Sequence, residues 1–189
     1  MGKPPDVNIW STCFRLFHMS NNLTWLNKLS STDATTELLK CCGSRRWAEE
    51  VNNRRPFTSL SHLNETAHDV WWSLDRDDWL EAFRSHPKIG ERTAKKEPAA
   101  QAQQWSTQEQ AAIGKSSSQT KDLLAKLNHY YEAKFGYIYI VCATGKSAEE
   151  MLLILQDRLS NDPDDELKIA AAEQAKITAL RLAKLLVSH

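Results

Sequence analysis

Little in this chain marks a specialised class, and each absence removes one. Its charge is balanced, with 24 Lys and Arg against 24 Asp and Glu and a formal net charge of zero. No basic face therefore argues for nucleic acid or for an anionic membrane surface. No apolar run approaches the roughly 20 residues that cross a bilayer, and the amino terminus lacks the apolar stretch of a secretory signal. A cytoplasmic protein with no membrane and no nucleic-acid partner is expected. Cysteine is scarce. Cys13, Cys41, Cys42 and Cys142 show no metal-ligand spacing, and the vicinal pair Cys41-Cys42 suits a reducing compartment better than a disulfide framework. There is no glycine-rich phosphate loop and no His-x-x-x-His pair, so neither a cofactor nor a metal is expected. Internal repeats, heptads and low-complexity tails are also missing.

What is present is helical periodicity over almost the whole length. At 189 residues one domain with a sizeable core is the natural reading. Helices are expected from Leu23 to Leu29 and from Asp33 to Cys42, the second capped by Ser31 and Thr32 and stopped by Gly43. Ser44 caps a third, through Trp47 and Val51, which Pro56 ends. Ser59 caps a fourth, whose Leu60, Leu63, Ala67, Val70, Trp71 and Leu74 form a core-facing stripe. A short helix follows from about Asp77 to Arg84, then a loop or loosely helical connection from Glu91 to Trp105. Later helices run from Ser106 to about Gly114, from Thr120 to Phe135 with Gly136 as terminator, from Ser147 to Leu159, and from Pro163 to about Val187. Tyr137-Ile138-Tyr139-Ile140-Val141-Cys142 is the one strongly β-prone run, and with no second strand to pair it is expected as a buried extended connection. The fold class is therefore all-α, a single compact bundle of about eight helices with one short extended segment. Residues 1–19 read as a disordered extension ahead of a helical domain at 20–189.

Two local patterns carry chemistry. Pro87 disfavours the α region for the residue before it, so His86 should stand just past a helix end with its ring toward a cleft. An unperturbed imidazole titrates near 6.5 and can move a proton at neutral pH. Ser106 followed by Glu109 has the spacing of a capping box, which would set Glu109 in the first turn of a helix. Either pattern alone is equally compatible with ordinary helix punctuation. Arg181 shares a partly apolar face with Ile177 and Leu185, which suits either a buried ligand anchor or a structural ion pair. His68, beside Asp69, and His129, before Tyr130-Tyr131, read as structural histidines, and the tryptophans as core or pocket wall.

Five motifs occur in order: Arg55-Pro56-Phe57; Trp79-Leu80-Glu81-Ala82-Phe83 leading into His86-Pro87-Lys88-Ile89-Gly90; Ser106-x-x-Glu109-Gln110; Phe135-Gly136 with the run ending Ile140-Val141-Cys142; and Leu180-Arg181-Leu182. Together they resemble the 2-oxo-4-hydroxy-4-carboxy-5-ureidoimidazoline (OHCU) decarboxylase family over roughly Leu23 to Leu186. The family commonly has Phe-Gly-Phe-Pro-Phe where this chain has Phe135-Gly136-Tyr137-Ile138-Tyr139. The resemblance implies a cofactor-independent carboxy-lyase that converts the ureidoimidazoline to (S)-allantoin in urate breakdown. It implies His86 and Glu109 as catalytic residues, and Pro87, Ser106, Gln110, Ile138, Tyr139, Ile140, Val141, Cys142 and Arg181 around a small-molecule substrate. A homodimer is compatible with it. Two other readings stand beside this one: a decarboxylase of a related ureido acid, and a non-catalytic helical interaction module. The last predicts an exposed apolar patch and no convergence of His, Glu and Arg.

Overall fold

A computed structural model of the chain describes residues 22–89, 100–109 and 116–187. The expected extension at 1–19 and Gln110 lie outside the described residues. Among the described residues there are nine helices and no strand. They are α1 (residues 22–28), α2 (Ser31–Cys41), α3 (Arg45–Asn53), α4 (Leu60–Ser73), α5 (Arg76–Arg84), α6 (Ala100–Glu109), α7 (Ser118–Phe135), α8 (Ala148–Arg158) and α9 (Pro163–Val187).

The helices begin where short polar side chains can satisfy their first amides. Ser44, Ser59 and Ser147 cap α3, α4 and α8, the last as a full capping box with Glu150. The cap of α2 is Ser30 and not Ser31 or Thr32. Gly136 closes α7 with φ of +80°, a left-handed conformation that favours glycine.

α9 is the axis of the bundle and packs against α2 and α4. Its buried side includes Leu167, Ala170, Ala171, Ile177, Leu182 and Leu185 at helical spacing. Indole N–H groups stitch the helices together, because a buried indole must find an acceptor. Trp71 Nε1 donates to the Ala171 carbonyl at 2.9 Å, and Trp47 Nε1 to the Ala67 carbonyl at 3.0 Å. Arg55 Nη1 donates to the carbonyls of Leu26 and Leu29 at the end of α1, at 2.7 and 2.9 Å.

Gly43 serves the fold differently from a left-handed helix stop. Its φ is not positive, and a Cβ there would lie 2.2 Å from Ser85 Oγ and 2.3 Å from Ser85 Cβ. The absent side chain lets α2 approach the residue that precedes His86. Gly43→Ala is expected to destabilise the fold by about 1–3 kcal/mol through overpacking and to displace Ser85. A thermal melt with no loss of midpoint would contradict that packing role.

Candidate active site

His86 emerges from a helix end, as its proline neighbour requires. α5 finishes at Arg84, Ser85 caps it, and the His86 amide donates to the Phe83 carbonyl at 3.1 Å. The turn that follows is tied to α7. Lys88 pairs with Glu132 at 2.6 Å, and Asn128 Nδ2 donates to the Ile89 carbonyl at 3.3 Å.

Opposite stands α6, and here the structure corrects the sequence reading. Ser106 is not a cap. It lies well inside a helix that already runs from Ala100, and Glu109 is its last described residue instead of part of a first turn. The Ser-x-x-Glu spacing serves a different purpose, since three residues on a helix return to nearly the same face. That face meets α9. Arg181 Nε and Nη2 reach the two Glu109 oxygens at 3.2 and 2.8 Å, and Nη2 also donates to Ser106 Oγ at 2.9 Å. Lys184 adds a second cation to Glu109 at 3.2 Å. Of the connection expected as loop or loosely helical up to Trp105, the part from Ala100 onward is helix.

The third wall is the segment at 137–143, buried except at half-buried Ile138 and without a pairing strand among the described residues. Buried backbone groups must be satisfied, and here side chains do it. Arg158 Nη1 donates to the Ile140 carbonyl at 2.8 Å. The Cys142 amide donates to Glu173 Oε2 and its carbonyl accepts from Lys146 Nζ, both at 2.7 Å. Tyr139 is pinned through its hydroxyl to the Met151 carbonyl at 3.2 Å.

These walls enclose one cavity. Of the residues expected from sequence, it is lined by His86, Pro87, Ser106, Glu109, Tyr139, Ile140 and Val141. Ile138, Cys142 and Arg181 are not in its wall. Cys142 has its backbone engaged with Glu173 and Lys146. Arg181, 3% exposed, stands behind Glu109 and Ser106 and holds both. Ile89, Ala143, Thr144, Ile177 and Leu180 complete the lining and were missed. Ile177 sits one turn from Arg181, so the face of α9 already signalled it, whereas Leu180, the residue before Arg181, lies on a different face.

The two titratable groups sit in contrasting states. Burial, with Arg181 beside it, pushes the His86 imidazole down to about 3, against a smaller opposing pull from Glu109. The ring is therefore neutral at pH 7, not poised near 6.5. Burial acts to raise the Glu109 carboxyl, but the hydrogen bond and charge of Arg181 and the charge of Lys184 outweigh it and hold Glu109 below its usual value. Glu109 is ionised. Its two cations leave the site with one net positive charge, which favours an anion.

An acid-sensitive fold follows. The unfolded imidazole binds a proton below about 6.5, whereas the folded one does so only near 3, so stability is lost as pH falls through that window. The Glu109 shift acts in the same direction and lower down the pH scale. We expect up to about 1 kcal/mol per pH unit from His86, under the full linkage value because the ring borders an open cavity. Melting curves of the wild type and His86→Asn between pH 7 and 4.5 should diverge, the variant being less acid-sensitive. Parallel curves would contradict the low imidazole pKa.

Other candidates fall away. His68 is exposed, accepts from Trp72 Nε1 at 3.0 Å and lies 3.6 Å from Asp69. His129 is on an exposed face of α7. Cys41, Cys42 and Cys142 are free and buried, and burial pushes the Cys42 thiol up to about 12. Among the described residues no group of three His, Cys, Asp or Glu side chains is placed to hold a metal ion, and no helix is long and apolar enough to cross a membrane.

The fold has a counterpart among known proteins. The family model described as OHCU decarboxylase matches residues 27–183. The chain belongs to the OHCU decarboxylase family. A solved structure of an OHCU decarboxylase in the presence of (S)-allantoin is similar with a TM-score of 0.68 and 39% identity, covering 82% of this chain and 99% of that one. The chain is 40% identical over 146 residues to the uric acid degradation bifunctional protein TTL of Arabidopsis thaliana, covering 77% of this chain and 45% of the relative. It therefore spans less than half of that bifunctional protein. Against the 2-oxo-4-hydroxy-4-carboxy-5-ureidoimidazoline decarboxylase of Xenopus laevis it is 29% identical, over 72% of this chain and 78% of the relative.

Proposed function

We propose that this protein decarboxylates 2-oxo-4-hydroxy-4-carboxy-5-ureidoimidazoline to (S)-allantoin, a step of urate catabolism, without a cofactor. The observation that carries the reading is the pairing, across one cavity, of an imidazole kept neutral with a carboxylate kept ionised by two cations. Opposed environments of this kind assign acid and base roles to neighbouring groups.

The substrate carries its own electron sink. When the carbon–carboxylate bond breaks and CO2 leaves, the electron pair passes into the ring and onto the imine nitrogen. The carbon bearing the hydroxyl must become a carbonyl, and the carbon bearing the ureido group must gain a proton. A neutral imidazole suits both events. His86 takes the hydroxyl proton as the carbonyl forms and returns it to the ureido carbon from one side, so the ring ends as it began. The nitrogen anion takes the last proton from solvent. Delivery from a fixed side produces one enantiomer.

Glu109, anchored by Arg181 and Lys184, accepts hydrogen bonds from substrate N–H groups. Ser106 and Gln110 contribute polar contacts, and Pro87, Tyr139, Ile140 and Val141 supply the wall. Arg181 acts through Glu109 and Ser106, with its charge favouring the substrate carboxylate. Ile138 and Cys142 support the wall from behind. We carry the same reading to a cytoplasmic enzyme whose partner is a small molecule, with residues 20–189 as its single domain and a homodimer as its assembly.

Release of labelled CO2 from carboxylate-labelled substrate, generated in place from urate, tests the reaction. Release well above the buffer rate is expected. Release at the buffer rate alone, with a related ureido acid decarboxylated instead, would transfer the assignment to that substrate.

A further inference from the structure

α9 carries four buried polar side chains, Glu166, Gln174, Thr178 and Arg181, and three of them, Glu166, Gln174 and Arg181, lie about two turns apart on the face it turns to the core. Glu166 meets Arg158 and Arg181 meets Glu109. Gln174 lies between them, wholly buried, and nothing in the reaction described above uses it.

Its amide nitrogen is committed. Gln174 Nε2 donates to Thr178 Oγ1 at 3.2 Å, one turn further along the helix. Thr178 in turn hydrogen-bonds the Cys42 thiol. The nitrogen end of the amide therefore points along α9, and the oxygen end is left to face the other way. Among the described residues seven buried side-chain polar atoms have no hydrogen-bond partner, and Gln174 Oε1 and His86 Nε2 are two of them. The Gln174 side chain is near enough to the His86 ring to favour its protonated form. Burying either atom unpaired is costly, and an amide oxygen can only accept.

We propose that Gln174 is a positioning residue that fixes the tautomer of His86, its amide oxygen taking the proton on Nε2 so that Nδ1 keeps the lone pair. This rests on the decarboxylase reading, in which the ring must begin neutral with one nitrogen free to receive a proton. The charged groups that act on the ring are Arg181 from α9 and Glu109 from α6, and neither dictates which nitrogen is protonated. A neutral partner of one polarity does so without adding charge.

The test begins with the wild-type, ligand-free protein, labelled with nitrogen-15 in its histidines. Long-range nitrogen–proton spectra at pH 7.5 distinguish the two ring nitrogens, and comparison with His86→Asn assigns the signal. A pyrrole-type Nε2 and a pyridine-type Nδ1 are expected. The reverse pattern, or an averaged one, overturns the proposal whatever the protein's activity, so its failure is separable from failure of the decarboxylase reading. Two variants extend the test. Gln174→Glu keeps an acceptor of the same shape and adds charge, so it should keep the Nε2–H tautomer and move the imidazole pKa upward. Gln174→Leu should mix the tautomers and lower kcat by about 10- to 100-fold, with KM nearly unchanged. Equal kcat losses in both variants, with no movement of tautomer or pKa, would mean a packing role only.

Discussion

His86→Asn lowers kcat/KM by about 10²- to 10⁴-fold, the range that a positioned proton-transfer group contributes. The product loses its single handedness at the same time. Asparagine keeps a hydrogen-bonding end of similar reach but cannot cycle a proton between the substrate hydroxyl and the ring carbon. The wild-type pH profile should share the cause. Because the imidazole lies near 3 in the free protein, kcat/KM should stay flat from pH 8 down to about pH 5, with no acid limb at the ordinary histidine value of about 6.5. Residual activity of His86→Asn within a fewfold of wild type would remove the ring from the mechanism.

Arg158→Met produces the largest loss of stability. Arg158 is 5% exposed and Glu166 is fully buried. Arg158 Nε donates to Glu166 at 2.7 Å, Nη1 to the Ile140 carbonyl at 2.8 Å and Nη2 to the Tyr131 hydroxyl at 3.2 Å. The group also lies over the Tyr139 ring, 4.9 Å from its centroid. Methionine fills the space but strands the Glu166 carboxylate, to which, among the described residues, only Asn161 Nδ2, at 2.7 Å, and the Tyr131 hydroxyl still donate. Removing one partner of a buried pair costs about 3–5 kcal/mol, or roughly 10 °C in melting temperature for a chain of this size. Pairing the change with Glu166→Leu should restore much of the loss, since no charge is then stranded. Loss of the donor to Ile140 also loosens one cavity wall, so KM should rise more than kcat falls. A melting shift below about 2 °C would show that the pair is not structurally important.

The same network explains why parts of this protein were legible in sequence and others were not. Capping serines and apolar stripes fix α3, α4, α7, α8 and α9 to within a residue or two, because those signals are local. His86-Pro87 was legible for the same reason: proline constrains its own neighbour. Ser106 and Glu109 do line the cavity, but the capping-box explanation of their spacing fails, since both lie within a helix that already runs from Ala100. Their spacing answers Arg181, about seventy positions away, and a capping box has the same three-residue period. Arg181 itself was placed at the substrate, although its charge is engaged by Glu109. Nothing in the sequence fixes which side of a carboxylate faces the cavity. Gln174 had a signal that went unread. It is polar, two turns from Arg181, on a face otherwise filled by Ala170, Ala171, Ile177 and Leu182. The side chains that hold the extended segment, Arg158, Glu173 and Lys146, were invisible because satisfaction of a lone strand-like segment is a tertiary matter. The adaptor reading fares worse in the fold. The exposed large apolar residues, among them Trp72, Tyr130, Leu153 and Ile169, are spread over α4, α7, α8 and α9, while His86 and Glu109 share one cavity.

The central claim is that this cavity accelerates decarboxylation and returns the proton from one side. Circular dichroism followed in time, with the ureidoimidazoline generated from urate in the cuvette, reads both at once. The account predicts rapid growth of the (S)-allantoin signal with the wild-type protein and none with His86→Asn. Racemic allantoin, appearing at the uncatalysed rate in the presence of the wild-type protein, would contradict it.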